Sequence, residues 1–478
     1  MIHDIATVLL YLQPLFLLYF IVLNGFYTLF TFISLFNIRE YINTISNEHI
    51  NSIISGTFYR PLTIIIPAYN EEKTIVQTIE SILSLNYPEF EVIVVNDGSS
   101  DKTLEIMIDT FQLGAFEKPV ALKVPHEEIR GTFYSLDHPK LFVIDKVNGG
   151  KADALNAGIN VSQYPLFCSF DADSILESDA LLRAARLFAE DREIVATGGI
   201  VRVLNGSEVE NGYVKHVRAP KHALECFQAV EYTKGFLSGR TAWSFLRCLL
   251  IVSGAFGIFR KDLVVAIGGY RKTVGEDMDL VVRLHRHCRK GRIRYKVVFV
   301  PDPVCWTQVP SDFRSLLRQR NRWHRGLIDS LWHSRGMFLN PRYGTVGMFG
   351  FPYFVFVEAV GPVVEFLGYF SFFFLLVSGH VTRDFALLFF LLAFLWGTWI
   401  NLGSILLDNL IYRRYNSLKD ILKLCLFAML EFFGYRQVIV MERLIASLFF
   451  WRKRWGKQKR KMMDRSSKSD DSTKMIFD

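Results

Sequence analysis

Residues 8 to 37, VLLYLQPLFLLYFIVLNGFYTLFTFISLFN, carry no charged side chain over 30 consecutive positions. About 20 such residues span the hydrocarbon core of a bilayer, where every backbone N–H and C=O must be bonded within the segment, so a transmembrane helix is expected. The start MIHDIA lacks the basic segment, short apolar core and small-residue cleavage site of a signal peptide, so the span is expected to be retained. Residues 385 to 407 form a second clean span. Residues 344 to 379 contain Pro352, Glu358, Pro362 and Glu365 and read as an interfacial or broken portion followed by a span near 359 to 378. Residues 421 to 450, interrupted by Glu431, Arg436, Glu442 and Arg443, fit one tilted span, a hairpin or interfacial helices.

Basic loops mark the cytoplasmic side of a membrane. YRRY (412 to 415) and the basic tail WRKRWGKQKRK belong there, and the charge-poor SGHVTRD (378 to 384) belongs opposite. The expected organisation is therefore a transmembrane helix over 1–40, a cytoplasmic domain over 41–335, interfacial and transmembrane helices over 336–455, and a basic, polar cytoplasmic tail over 456–478. The chain is read as an integral protein of the cell (inner) membrane.

Between about 59 and 310 short β-branched runs alternate with helical patterns. LTIIIPAYN (62 to 70), EVIVVNDGSS (91 to 100), KLFVIDKVN (140 to 148) and PLFCSFDAD (165 to 173) each read as a buried strand with a polar end. Continuous apolar strands with helical connections such as EEKTIVQTIESILSL imply a mostly parallel sheet covered on both faces. Ligands of such sheets bind outside the carboxyl ends of the strands, where Asn96, Asp97, Lys146, Asp171 and Asp173 converge. The six cysteines show no CxxC pairing and no zinc-ligand spacing, and read as reduced and structural.

Four clusters carry chemistry. In NDGSS (96 to 100) a short carboxylate in a turn can accept from a base or ribose, although an ordinary Asp-Gly turn has the same appearance. In FDADS, Asp171 and Asp173 repel unless a cation lies between them, and Mg²⁺ or Mn²⁺ held by one or two carboxylates and substrate phosphates suits them. In GGYRKTVGEDMDL, Glu276 and Asp277 offer a general base toward an acceptor hydroxyl, or simply cap a helix. In RQRNRWHRGLIDSLWHSRG, Gln319, Arg322, Trp323 and Gly326 stand at i, i+3, i+4 and i+7, on one helix face. A guanidinium there suits phosphate and a broad ring suits a sugar or base, whereas Arg335 and Arg342 beyond it suit lipid headgroups.

Taken together and in this order, IPAYNE, NDGSSD, NGGKADALNAG, DAD, GED and QRNRW, spread over about residues 60 to 330, resemble the family 2 glycosyltransferases. The likeness is greatest to the membrane-integrated processive synthases of cellulose, chitin, hyaluronan and poly-N-acetylglucosamine. It implies an α/β GT-A fold, Rossmann-like, flanked by transmembrane helices. By the same resemblance Asp97 would bind uridine, Asp171 the nucleotide, and Asp173 a divalent cation, Mg²⁺ or Mn²⁺, on the diphosphate. Asn96 and Lys151 would lie at the nucleotide-sugar, Gln319 and Arg322 would close over the diphosphate, and Trp323 would stack on the acceptor sugar. Ser253 and Gly254, in VSGAFGIFR, would line the acceptor end, and Asp277, beside Glu276, would be the base.

The implied reaction is inverting transfer from a UDP-sugar, GlcNAc or glucose, to a growing β-linked polysaccharide, with coupled translocation of the product as a further expectation. Transfer of one sugar to a lipid-linked acceptor is the alternative. Membrane lipids and accessory export or regulatory subunits are further expected partners. The net charge of +8 and the arginine cluster also leave a nucleic-acid-binding or purely structural membrane protein open, a reading that leaves the three carboxylate clusters unexplained, and no nucleic acid is expected.

Overall fold

Apolar runs bounded by polar turns become the strands of one large sheet. The computed structural model describes residues 2–47, 59–117, 119–210 and 212–451, and the tail expected over 456–478 lies outside them. The strands are β1 (Leu62–Ala68), β2 (Phe90–Asn96), β3 (Leu113–Ala115), β4 (Ile129–Ser135), β5 (Leu141–Lys146), β6 (Leu166–Phe170), β7 (Ser174–Leu176), β8 (Ile194–Val203), β9 (Glu208–Glu210), β10 (Tyr213–His216), β11 (Phe256–Arg260) and β12 (Lys296–Thr307). Ten of them form a sheet in the order β3-β4-β5-β2-β1-β6-β11-β8-β12-β7, and β9 and β10 form a separate pair.

The four strands expected from the sequence are the contiguous centre of this sheet, β5-β2-β1-β6, and they are parallel. Every residue of β2 is buried, as befits a strand covered on both faces. The flanks bring a mixed pattern: β11 runs antiparallel between β6 and β8, and β4 runs antiparallel to β5. β11 belongs to VSGAFGIFR, so that segment is partly a sheet strand, with Ser253 and Gly254 just before it.

The helices that frame the site are α1 (Ile2–Asn47), α2 (Ile75–Leu83), α3 (Lys151–Val161), α4 (Ala223–Thr233), α5 (Glu276–Lys290), α6 (Phe313–His333), α7 (Gly361–Val377), α8 (Arg383–Tyr412), α9 (Leu418–Leu430) and α10 (Tyr435–Leu448). Among the described residues, His3–Ile42 and Arg383–Tyr412 are long and apolar enough to cross a membrane. Two bent pairs pass the same test together: Val346–Ala359 with Gly361–Val377, at 42°, and α9 with α10, at 57°. Gly434, at φ 96, makes the second bend possible, because only glycine adopts that backbone without strain.

The charges that interrupt these apolar segments are paired across them. Glu365 meets Arg436 at 3.1 Å and Glu358 meets Arg443 at 3.0 Å. Asn321 Nδ2 donates to Glu442 Oε1 at 2.6 Å, which ties α10 to α6. Such pairing removes much of the cost of a charge in low dielectric. The sheet is anchored in the same way: Arg202 on β8 forms a buried ion pair with Asp408 on α8. α1 joins the assembly through Ser34 Oγ, which donates to Ser238 O at 2.6 Å, and through Phe30, whose ring meets Trp243 edge-on at 4.8 Å.

Candidate active site

A cavity of about 1520 Å³ opens at the carboxyl ends of the central strands. Its upper wall is the loop between β5 and α3, and Asp97 holds that loop. Asp97 Oδ1 accepts from Lys146 Nζ at 2.7 Å and from Gly149 N at 3.0 Å, and Oδ2 accepts from Gly150 N at 2.7 Å. Lys146 is fully buried and also meets Asp153 at 2.5 Å. The carboxylate expected to read uridine thus lies in the cavity wall with both oxygens engaged in shaping the NGG loop. Asn70, on IPAYNE, accepts from Ser100 N at 2.8 Å and joins the first two motifs.

Asn96 is not brought to the cavity. Its Nδ2 donates to Asp145 Oδ1 at 2.6 Å, across to β5, and the residue is 2% exposed. Asn96 is the last residue of β2 and is tied across to β5, while Asp97, one residue on, lines the cavity.

Lys151 is the hub. It opens α3, after Gly150 at φ 93, and its Nζ lies 2.6 Å from Asp171 Oδ1 and 3.4 Å from Glu276 Oε1, while donating to Gly254 O at 3.0 Å. Burial alone would lower its pKa, but Asp171, Glu276 and Asp277 hold it well above the ordinary lysine value. One ammonium therefore links three segments: the end of β6, the start of α5 and the strand-entry loop before β11.

The acidic residues divide into those touching Lys151 and those facing open cavity. Burial, and then the neighbouring Asp171, push the pKa of Asp173 up to about 7, against Lys151 and Arg322, which lower it. Burial, followed by Glu276, also raises that of Asp277, whose Oδ1 accepts from Met278 N at 2.8 Å in the first turn of α5. A carboxylate held above its usual range by burial is suited to accept a proton near neutral pH. A Cβ on Gly254 would sit 3.3 Å from Asp277 Oδ2 and 3.4 Å from Lys151 Nζ, so this glycine keeps the approach clear. Ser253, beside it, lines the cavity and accepts from Ala255 N at 3.2 Å.

Among the described residues no three His, Cys, Asp or Glu gather into a metal-holding group. Asp171 and Asp173, two oxygen donors on one strand end, fit a hard cation whose remaining ligands are water and diphosphate oxygens. The raised pKa of Asp173 marks a buried negative charge that a cation would relieve.

The opposite wall is α6. Gln319, Arg322 and Trp323 all line the cavity, as their helical spacing requires. Trp323 is 41% exposed, and its ring lies 6.4 Å from that of Tyr232 on α4. Gln319 Oε1 accepts from Arg320 Nη1 at 2.9 Å. Arg320 also donates to Glu231 at 2.7 Å, and its guanidinium sits 4.4 Å over Trp323. Tyr435 on α10 donates to the same Glu231 at 2.9 Å.

Sequence reasoning passed over Glu231, Tyr232, Arg240 and Tyr435. They lie in an apolar stretch and in a membrane segment without a motif, and only a charge standing alone in GFLSGRTAW could have drawn notice. Past Trp323 the cavity continues to Tyr27, Glu358, Glu365, Glu431, Arg436 and Arg443, between the membrane helices.

Residues 63–263 match the family model for glycosyl transferase family 2, and residues 167–400 match that for glycosyl transferase family group 2. The poly-β-1,6-N-acetyl-D-glucosamine synthase of Staphylococcus epidermidis RP62A is 29% identical over 276 residues, 57% of this chain and 56% of that protein. The synthase of the same name in Staphylococcus aureus COL is 29% identical over 265 residues, 55% of this chain and 54% of that one. The match thus spans little more than half the length of these relatives. Of solved structures, the Pyrobaculum calidifontis mannosyltransferase PcManGT, in complex with GDP-Man and Mn²⁺, aligns with a TM-score of 0.47 at 17% identity, over 87% of this chain and 99% of that one. Staphylococcus aureus TarS 1-349 with UDP-GlcNAc aligns with a TM-score of 0.39 at 16% identity, over 75% and 91%. The motifs, the parallel sheet centre with its carboxylate-lined edge and the family matches agree: this chain carries a domain that matches glycosyl transferase family 2.

Proposed function

We propose that the chain is a membrane-integrated polysaccharide synthase, which adds a sugar from a UDP-sugar to a growing β-linked polymer and passes the product toward the membrane. The observation that carries this reading is the continuity of one cavity, from Lys151, Asp171 and Asp277 past Trp323 to Glu365 and Arg436 between the membrane helices. The names of the relatives favour GlcNAc over glucose as the donor sugar.

In this mechanism the acceptor hydroxyl lies between Trp323 and Asp277. Asp277 takes its proton as the oxygen attacks the anomeric carbon, and the bond from that carbon to the diphosphate oxygen breaks, leaving its electron pair on UDP. One displacement inverts the anomeric centre and gives a β-linkage. Lys151, fixed by Asp171 and Glu276, supplies positive charge next to the donor, and Arg322 and Gln319 close the diphosphate side. A Mg²⁺ or Mn²⁺ ion held by Asp173, with Asp171, would offset charge on the departing diphosphate. Asp97 serves the nucleotide through the NGG loop it holds.

The same reading places the catalytic domain in the cytoplasm beneath the inner membrane, with Arg335 and Arg342 toward lipid headgroups and accessory export subunits as further partners. A second reading, transfer of one sugar to a lipid-linked acceptor, is favoured by there being two unbroken spans among the described residues. Incubating purified protein with UDP-GlcNAc, Mg²⁺ and Mn²⁺ and sizing the product separates them. A ladder of long products supports polymerisation, and a product that stops at one added sugar refutes it.

A further inference from the structure

Five arginines line the cavity, and among the described residues four of them are engaged. Arg436 pairs with Glu365, Arg443 with Glu358 and Arg320 with Glu231, and Arg322 has a partner of its own. Arg240 has none. Its guanidinium makes no hydrogen bond and no ion pair within 4.0 Å among the described residues, and rests only on the Phe236 ring, 3.6 Å from the centroid. Its Nε is sealed from solvent without an acceptor, while its terminal nitrogens stay accessible from the cavity.

The backbone accounts for this placement. Lys234–Arg240 is a π-helical turn that continues α4, its hydrogen bonds reaching one residue further along the chain than those of an α-helix. Within it Lys234, Gly235, Phe236, Ser238, Gly239 and Arg240 all reach the cavity wall, more than one face of an α-helix would present. Burial lowers the pKa of Arg240 to about 10, which leaves it charged at neutral pH, and Asp277 is the carboxylate that acts on it most strongly. The two groups influence each other across a gap without meeting.

A desolvated guanidinium with no partner costs free energy, and such groups persist where a ligand completes them. Ordinary fold stability would be served better by a carboxylate beside it, as at the other cavity arginines. Arg240 lines the same cavity as Asp277, Gly254, Tyr232 and Trp323, the groups among which the proposed function puts the acceptor sugar.

We propose that Arg240 is an acceptor-binding residue, which donates charge-assisted hydrogen bonds to oxygens of the terminal acceptor sugar and so holds the attacking hydroxyl against Asp277. This rests on the saccharide acceptor of the proposed function. The Phe236 ring supports the guanidinium on one side, and the terminal nitrogens, which have no acceptor among the described residues, would donate to the sugar.

The test uses the full-length protein in lipid nanodiscs, a short β-linked GlcNAc oligosaccharide as acceptor, and UDP-GlcNAc as donor. Arg240→Gln is expected to raise the acceptor KM by about tenfold, the effect of losing one charge-assisted hydrogen bond, with kcat at saturating acceptor changed far less. Affinity for UDP, measured by calorimetry, stays at the wild-type value. Arg240→Lys keeps the charge and the packing on Phe236, is expected to fall between the two, and carries the same measurement if the glutamine variant does not fold. An unchanged acceptor KM in both variants, or a loss of UDP affinity that parallels the loss of transfer, overturns the inference. Wild-type protein that adds only one sugar would instead refute polymerisation, and would leave the acceptor KM comparison intact.

Discussion

Gly275 and Gly326 cross backbone to backbone: a Cβ built on either would lie 2.7 Å from the Cα of the other. Gly275 begins the GED turn and Gly326 lies one turn beyond Trp323 on α6, so the segments that carry Asp277 and Trp323 are set against each other by a contact that has room for no side chain. Gly326→Ala or Gly275→Ala is expected to destabilise the protein by about 1–3 kcal/mol, as overpacking does, and to lower transfer more than UDP binding. Thermal unfolding in detergent beside steady-state kinetics checks both effects.

Lys151 neutralises carboxylates from two other segments. Its removal in Lys151→Ala is expected to cut transfer at least about a hundredfold, the loss typical of one preorganised electrostatic group. Lys151 lowers the pKa of both Asp173 and Asp277, so its loss raises them. Their ionised forms then persist only at higher pH, and the acid limb of the rate profile should move upward. A limb that stays in place would separate Lys151 from these acids.

Asp277 as the proposed base and Asp173 as the proposed cation ligand should fail differently. Asp277→Asn is expected to abolish transfer by about 10²–10⁴-fold with UDP affinity retained, because only proton acceptance is lost. Asp173→Ala, or chelation of divalent ions, is expected to weaken UDP binding itself, since the diphosphate then lacks its counter-charge. Isothermal titration with UDP, with and without Mn²⁺, distinguishes the two.

Asp97 should matter first for structure. Asp97→Ala leaves the fully buried Lys146 with Asp153 and the Val147 carbonyl as its partners among the described residues and frees the amides of Gly149 and Gly150. Breaking such a buried pair costs about 3 kcal/mol, so the midpoint of thermal unfolding should fall by several degrees, and UDP affinity with it. If affinity falls while the midpoint holds, Asp97 reads the nucleotide directly.

The order of motifs, the apolar helices and the parallel centre of the sheet were legible because each rests on local chemistry: an uncharged run, a buried strand, a polar strand end. Asn96 and Asp97 show the limit of that reading. Both stand at the end of β2, but one side chain turns to Asp145 and the other to the cavity, a choice made by neighbours that lie 49 and 52 residues away. Arg436 and Arg443 interrupt the apolar run of 421–450 in the linear pattern, and Glu365 and Glu358, which pair with them, lie on another segment.

By itself, then, the chain's order of residues determined a membrane-flanked α/β domain and the acids, lysine and helix face from which its site is made. Periodicity and hydropathy act over a few residues, and a linear pattern records them. Only the tertiary structure decided that Lys151 reaches Asp171 and Glu276, that two glycines let α5 and α6 touch, and that Arg240 has no ion-pair partner among the described residues. Those are contacts between segments that only the packed sheet and helices bring together, and distance along the chain carries no trace of them.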